Sequence, residues 1–227
     1  LRTYQTDGFF DEMFEANGLP HPVAAPLVEQ MNSLSDEELK RRQKAAELAL
    51  YQLGITFSVY GDEKGTEKIF PFDIIPRVIP GKEWDVIEAG LKQRIEALNL
   101  FITDVYSNQH ILRDGILPKE LVLSSPCYLP FCEGLKPPKG IWIHVTGTDL
   151  IRDKDGKFYV LEDNLRCPSG ISYVLENRSV QKRTFPAAFE TMKVRPVSAY
   201  PDHLYETLKY LAPDSVVNPQ VIVLTPG

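Results

Sequence analysis

Asp155-Gly156 sits between two runs of alternating polar and apolar residues, and that pair limits what the surrounding chain can become. An Asp-Gly link tolerates the positive φ of a type I′ turn, so it is a strong signal for a two-residue β-hairpin. The flanking runs are residues 149–152 and 158–162. A two-residue turn fixes their register. Lys154 then faces Lys157, Arg152 faces Tyr159, Leu150 faces Leu161, and Asp149 faces Glu162. Side chains alternate along a strand, so Asn164 shares the face of Glu162 one step further on.

Two carboxylates held roughly 5 Å apart on opposed strands destabilise a sheet. A divalent cation reverses the sign of that interaction. Two carboxylates and an amide oxygen are the hard donors that Mg²⁺ accepts, with phosphate oxygens completing its octahedron. Asp149, Glu162 and Asn164 are therefore candidate metal ligands. Two other readings stay open. The acids can simply fray into solvent at the open end of the hairpin. A three-residue loop over residues 154–156 with a bulge would instead pair Asp149 with Leu161.

The stretch that follows is Arg166-Cys-Pro-Ser-Gly-Ile-Ser172, leading into Tyr173-Val-Leu-Glu-Asn-Arg178. If Ser169 or Ser172 caps a helix there, free backbone N–H groups face an anion. Arg166 and Arg178 can make bidentate contacts to phosphate or carboxylate, although a surface ion pair is the commoner fate of an arginine.

The rest of the chain mixes helices and strands without a βαβ repeat. Ser35-Asp-Glu-Glu38 has the capping-box pattern and opens a helix that Gly54 stops. Residues 55–60 alternate as a strand, residues 62–68 form a charged turn, and 69–75 are apolar. Trp84, Ile87, Leu91, Ile95, Leu98, Ile102 and Val105 recur at helical spacing, which predicts a helix over residues 83–106 with one core-facing stripe. Residues 117–140 are rich in proline and glycine and read as an irregular connection. Further strands are expected at 141–145 and 221–224, and helices from near Ser172 and over 202–211. The class is α+β, or mixed α/β. The division is a helical and mixed region over 1–140, the hairpin and following helices over 141–212, and the start of a further subdomain over 213–227.

The net charge of −6 and the absence of a Lys/Arg-rich block argue against a nucleic-acid partner. Three cysteines, Cys127, Cys132 and Cys167, are too few for a disulfide framework, and no second Cys/His pair completes a zinc site. They read as reduced thiols. With no apolar run of membrane-crossing length and no secretory signal in residues 1–14, no membrane partner is expected and the cytoplasm is the expected compartment. The chain starts at Leu and stops on an apolar run, so it is read as a piece of a longer protein.

Thr148-Asp-Leu-Ile-Arg-Asp153, Val160-Leu-Glu-Asp-Asn164, Arg166-Cys-Pro-Ser-Gly170 and Ser172-Tyr-Val-Leu-Glu-Asn-Arg178 together resemble the circularly permuted ATP-grasp proteins. These are relatives of glutathionylspermidine synthetase and glutathione synthetase. Phe10-Asp-Glu-Met-Phe14, Gly54-Ile-Thr-Phe57, Phe70-Pro-Phe-Asp-Ile-Ile-Pro-Arg77, Gln93-Arg94 and Leu224-Thr-Pro-Gly227 extend the likeness over nearly the whole chain. The resemblance implies a permuted ATP-grasp fold, of which this chain holds an incomplete part. It also implies an ATP- and Mg²⁺-dependent ligase that joins a small-molecule or peptide carboxylate to an amine through an acyl phosphate. Asp149, Glu162 and Asn164 would hold Mg²⁺. Ser169, Gly170 and Ser172 would contact the substrate, with Arg166 and Ser169 at the reacting groups and Arg77 and Arg178 on the nucleotide's anionic side. The lysines that grip ATP in this family come after the Thr-Pro-Gly turn, so the chain alone is expected to be inactive. Relatives of glutathione synthetase carry an arginine where this chain has Gly147, so its substrate contacts are expected to differ. A non-catalytic scaffold or partner subunit and a kinase-like phosphotransferase are the alternatives. Retention of the Asp149, Glu162 and Asn164 trio disfavours the scaffold and leaves the kinase open.

Overall fold

A computed structural model describes residues 4, 6, 8–58, 67–166 and 168–224. The chain divides into two compact units. One comprises Leu1–Trp84, Leu150–Val160 and Ser169–Ala199, and the other comprises Asp85–Asp149, Leu161–Pro168 and Tyr200–Gly227. The division runs through the hairpin itself. Helices and two small antiparallel sheets, each of two strands among the described residues, make the fold α+β.

In the first unit, helix α1 spans Ala25–Asn32, with Pro26 in its first turn where a missing N–H costs nothing. It buries Leu27, Val28 and Met31. Helix α2, Asp36–Gln52, starts where expected, and the Ser35 hydroxyl accepts the Glu38 N–H at 3.2 Å. The capping box is only half formed. Glu38 turns to Arg41 Nε at 2.7 Å and Arg42 Nε at 2.8 Å, and these bonds hold its carboxyl at about 2. Arg42 Nη1 then donates to the Thr184 carbonyl at 2.6 Å, tying α2 to helix α6, Ile171–Thr184. Helix α7, Pro186–Met192, follows after the single residue Phe185. Leu27, Met31, Ala46, Leu50, Ile74, Val180, Phe185 and Ala188 form the core of this unit. Gln181 Nε2 donates to the Ile74 carbonyl, which satisfies a buried amide inside that core. Strands β1, Thr56–Ser58, and β2, Glu67–Ile69, pair antiparallel with Thr56 opposite Ile69. The outer part of the strand expected at 55–60, and most of the turn at 62–68, lie outside the described residues.

Helix α3, Gly81–Val105, carries the predicted stripe. Ile87, Leu91, Ile95, Leu98 and Ile102 are half-buried and Val105 is buried, so the predicted face is the covered one. Trp84, expected on that stripe, is exposed.

Residues 141–145 do not form a strand. The reason is local. Asn99 Oδ1, on α3, accepts the N–H groups of Trp142 and Ile143 at 2.9 and 3.0 Å, giving those donors a side-chain partner instead of a ladder. Trp142 and Tyr128 both stack on Tyr106, at ring-centroid distances of 5.2 and 5.3 Å. Two short helices follow α3. In α4, His110–Arg113, the Asp104 carboxylate accepts the first N–H groups, and those bonds hold its pKa below the usual range. Helix α5, Lys119–Leu123, and two 3₁₀ turns punctuate the region expected to be irregular.

Helix α8 spans Tyr200–Tyr210. Residues 221–224 pair with no strand among the described residues, contrary to expectation, and Ile222, Val223 and Leu224 are exposed. Cys127 and Cys132 are free thiols, and Cys167 lies outside the described residues. Among the described residues no helix is long and apolar enough to cross a membrane.

Candidate functional site

The hairpin consists of β3, Gly147–Arg152, and β4, Phe158–Asn164. Its turn is not the two-residue type I′ turn. The Gly156 N–H donates to the Asp153 carbonyl at 2.8 Å, and the Asp153 N–H donates to the Lys157 carbonyl at 2.9 Å. The loop is thus three residues, Lys154, Asp155 and Gly156, with Gly156 at φ +80° as the left-handed residue of a G1 bulge. Near the turn this shifts the pairing by one residue, so Arg152 faces Phe158 and Leu150 faces Val160.

A second irregularity cancels the shift. Strand β3 has six residues and β4 has seven. The in-and-out alternation of β4 breaks at Leu161 and Glu162, both of which are exposed. Beyond that point the expected register returns. Thr148 Oγ1 donates to Asp163 Oδ1 at 3.0 Å, and a Cβ built on Gly147 would lie 3.7 Å from the Asn164 Cβ. Leu161 and Glu162 therefore bulge opposite Asp149, the device that sheets use to re-aim side chains beside functional sites. Asp149, Glu162 and Asn164 all lie on the exposed face, and Asp163 lies on the covered one.

The donor set fits a magnesium ion by its chemistry. Asn164 Nδ2 donates to Glu162 Oε1 at 3.1 Å, which leaves Asn164 Oδ1 as a further acceptor beside that carboxylate. Among the described residues no group of three or more His, Cys, Asp or Glu side chains could form a metal cage. Two carboxylates and one amide oxygen are too few for such a cage. They suit an ion that keeps waters and takes the rest of its shell from phosphate.

Behind this face, the covered side of the hairpin is fixed in each unit separately. In the second unit, Asp163 pairs with Arg94 Nε at 2.7 Å, and its side chain is only 9% exposed. In the first, the Arg152 guanidinium lies over the rings of Phe10 and Phe158, with Cζ 3.7 and 4.7 Å from their centroids. Its Nε donates to the Gly156 carbonyl at 2.9 Å. Its Nη2 is 2.8 Å from Glu83 Oε2 but off the hydrogen-bond direction, which makes that contact an ion pair rather than a directed bond. Phe10 also packs within 3.0 Å of where a Gly156 Cβ would stand, so this turn position excludes side chains twice over. None of Phe10, Arg94, Arg152 or Asp163 stood out as a support in the sequence. The alternation of β4 was the one available signal, because it turns Asp163 inward. Replacing Arg152 with Met keeps most of the aliphatic volume and removes two cation–π contacts, a hydrogen bond and the ion pair. The expected loss is roughly 2–4 kcal/mol, read as a lower urea midpoint with an unchanged slope. A midpoint shift worth less than about 0.5 kcal/mol, the range of an ordinary surface change, would refute the anchoring role.

The other candidates are placed as follows. Arg166 is exposed just beyond β4. Neither Ser169 nor Ser172 caps α6. The N-cap is Gly170 at φ +92°, and no side chain accepts the first-turn N–H groups. Ser169 is exposed before this cap and Ser172 is exposed in the first turn. Arg77 is exposed in the extended segment before α3. Arg178 is half-buried on α6, and its Nη1 donates to the Arg195 carbonyl at 2.8 Å. Gly147 is closely packed, since a Cβ there would stand 3.1 Å from the Pro168 Cβ.

Two acids and an amide thus share the exposed face of a hairpin, and the comparisons with known proteins give that hairpin its setting. The family described as circularly permuted ATP-grasp type 2 matches residues 76–227, more than half of the chain, and the chain belongs to that family. An uncharacterized Synechocystis protein is 55% identical over 227 residues, covering all of this chain and 47% of that protein. An uncharacterized Mycobacterium tuberculosis protein is 45% identical over 218 residues, covering 96% of this chain and 39% of that protein. A Frankia alni protein provisionally named glutamate–cysteine ligase 2-3 is 36% identical over 230 residues, covering 100% of this chain and 26% of that protein. The chain thus spans less than half the length of these relatives.

Proposed function

We propose that the chain forms the metal-holding part of an ATP- and Mg²⁺-dependent ligase that joins a small-molecule or peptide carboxylate to an amine. The observation that carries this reading is the bulge at Leu161 and Glu162, which keeps Glu162 on the exposed face opposite Asp149 despite the shifted turn. Asp149, Glu162 and Asn164 would hold the metal. When bound, Mg²⁺ would neutralise charge on the phosphoryl group in transfer. The chain's own groups would position the reactants. The uncapped first-turn N–H groups of α6, with Ser169, Gly170 and Ser172, would bind the carboxylate, because a helix N-terminus offers aligned donors to an anion. Arg166, with Ser169, would stabilise negative charge on the transferred group. Arg77 would take phosphate oxygens. In the reaction, a carboxylate oxygen bonds to the γ-phosphorus and ADP leaves. The amine nitrogen then bonds to the carbonyl carbon, phosphate leaves, and the nitrogen gives up a proton to solvent. We place the reaction in the cytoplasm, where ATP is at hand.

The test is ATP turnover by the full-length protein with glutamate and cysteine, the pair in the Frankia protein's name, and then with other carboxylate and amine pairs. The expected result is ADP release that requires both partners, with hydroxylamine trapping an acyl phosphate as the hydroxamate when the amine is withheld. Phosphate retained on a substrate hydroxyl would replace this reading with a phosphotransferase. Absence of Mg-ATP binding would replace it with a scaffold.

A further inference from the structure

The first unit holds a cavity of its own. Helices α6 and α7 and the segment after them line a half-open cavity of about 760 Å³, with Arg178, Lys182, Phe189, Val194 and Val197 among its walls. Its size falls within the range of small-molecule pockets, roughly 300–1,000 Å³. Arg178 and Lys182 are four residues apart on α6, so both project from one face of the helix. Neither has a carboxylate within ion-pair distance among the described residues, although Glu190 also lines the cavity.

Arg178 is pinned rather than neutralised. Its Nη1 bond to the Arg195 carbonyl fixes the guanidinium, and the Phe189 ring lies 5.8 Å from its Cζ. Burial alone pulls its pKa down, the mark of a cation that has lost water without gaining an anion. The Arg195 side chain is engaged elsewhere, donating to the Gly81 carbonyl at 3.3 Å. A half-buried guanidinium, held in place with donors to spare, is a preformed receptor for a planar carboxylate. The walls are largely apolar, so the ligand needs an apolar body as well as an anionic head. Glu190 adds a negative charge, which disfavours a doubly charged phosphate and favours a single carboxylate.

We propose that this cavity binds an organic carboxylate with an apolar body, the head on Arg178 and Lys182 and the body against Phe189, Val194 and Val197. The inference does not depend on the proposed ligase reaction. The probe is 3-phenylpropionate, titrated into the full-length protein by calorimetry, with the neutral 3-phenylpropanamide and inorganic phosphate as comparisons. The expected result is saturable binding of the acid in the millimolar range or tighter, on the scale of a small fragment. The amide and phosphate should each bind at least about tenfold more weakly, about 1.4 kcal/mol by the tenfold rule. Arg178→Gln should raise the dissociation constant about tenfold or more. Lys182→Gln, which breaks no contact within the protein, should raise it several-fold with the unfolding midpoint unchanged. Amide binding as tight as the acid would mean an apolar cavity and overturn the proposal. So would phosphate binding as tight as the acid, no saturable binding of the acid, or dissociation constants unchanged in both variants.

Discussion

Glu162→Gln is expected to remove Mg²⁺-dependent ATP turnover from the full-length protein by at least about a hundredfold while leaving the fold intact, since metal charge stabilisation of phosphoryl transfer is worth several kcal/mol. The variant is close to isosteric. Its amide oxygen can still accept the Asn164 Nδ2–H that now reaches Glu162 Oε1 at 3.1 Å, and the side chain is exposed, so little packing is lost. What goes is one of two negative charges on the open face of the hairpin. The neighbouring acid provides the contrast. Asp163 faces the other way, paired with Arg94 and accepting from Thr148. Asp163→Asn should therefore lower stability by about 1–3 kcal/mol, because the hydrogen bonds made by this covered side chain lose their charge. It should spare turnover when the assay is run well below the unfolding temperature. The two variants should separate: one loses activity at constant stability, and the other loses stability with activity retained. Full turnover in Glu162→Gln, with a normal unfolding midpoint, would remove this carboxylate from metal binding.

The shared face of Asp149, Glu162 and Asn164 was legible in the sequence, yet part of the reasoning that reached it was wrong. Asp-Gly suits a type I′ turn and also the last two positions of a three-residue loop, and nothing local separates the two. The three-residue loop taken alone would have put Asp149 against Leu161. The bulge at Leu161 and Glu162 restores the pairing, and no residue there announces it, since bulges of this kind depend on the sheet as a whole. Elsewhere, local pattern was overruled by single side chains at long sequence distance. Asn99 takes the N–H groups that would have made residues 141–145 a strand, and no periodicity within that segment reports on Asn99. The short helix α1 escaped notice because its eight residues give barely two turns of pattern, although Pro26 marks its start. The long stripe on α3 was readable because seven apolar residues repeat over the whole helix. Arg178 and Lys182, at helical spacing four, were equally readable as a pair, but only the cavity beside them gives the pair a purpose.

The largest loss of stability is expected from Phe185→Ala. Phe185 is the junction residue between α6 and α7, at φ −131° and ψ 63°, with its N–H on the Gln181 carbonyl at 3.0 Å and its carbonyl receiving the Phe189 N–H at 3.2 Å. Its ring is fully buried, in one cluster with Leu27 and Met31 of α1, Leu50 of α2, Val180 of α6 and Ala188 of α7. Residues from four helices thus gather in the cluster that holds this ring. Arg42 crosses the same ring with its Cζ 5.8 Å from the centroid, while its Nη1 holds the Thr184 carbonyl one residue away. Truncation to alanine leaves a cavity at the meeting point of those helices. The next residue is Pro186, whose fixed φ restricts the backbone on its N-terminal side, so the junction cannot readily fold inward to fill the space. The expected cost is about 3–5 kcal/mol, the range for Phe→Ala in packed cores. Against a total stability of roughly 5–15 kcal/mol, that loss is a large fraction. At this chain length it corresponds to a fall in Tm on the order of 6–20 °C. Phe185→Leu, which keeps most of the volume, should cost well under half as much. Urea unfolding monitored by far-UV circular dichroism measures both. A Phe185→Ala midpoint within error of the parent, at the same slope, would mean that the four helices are held together without this ring.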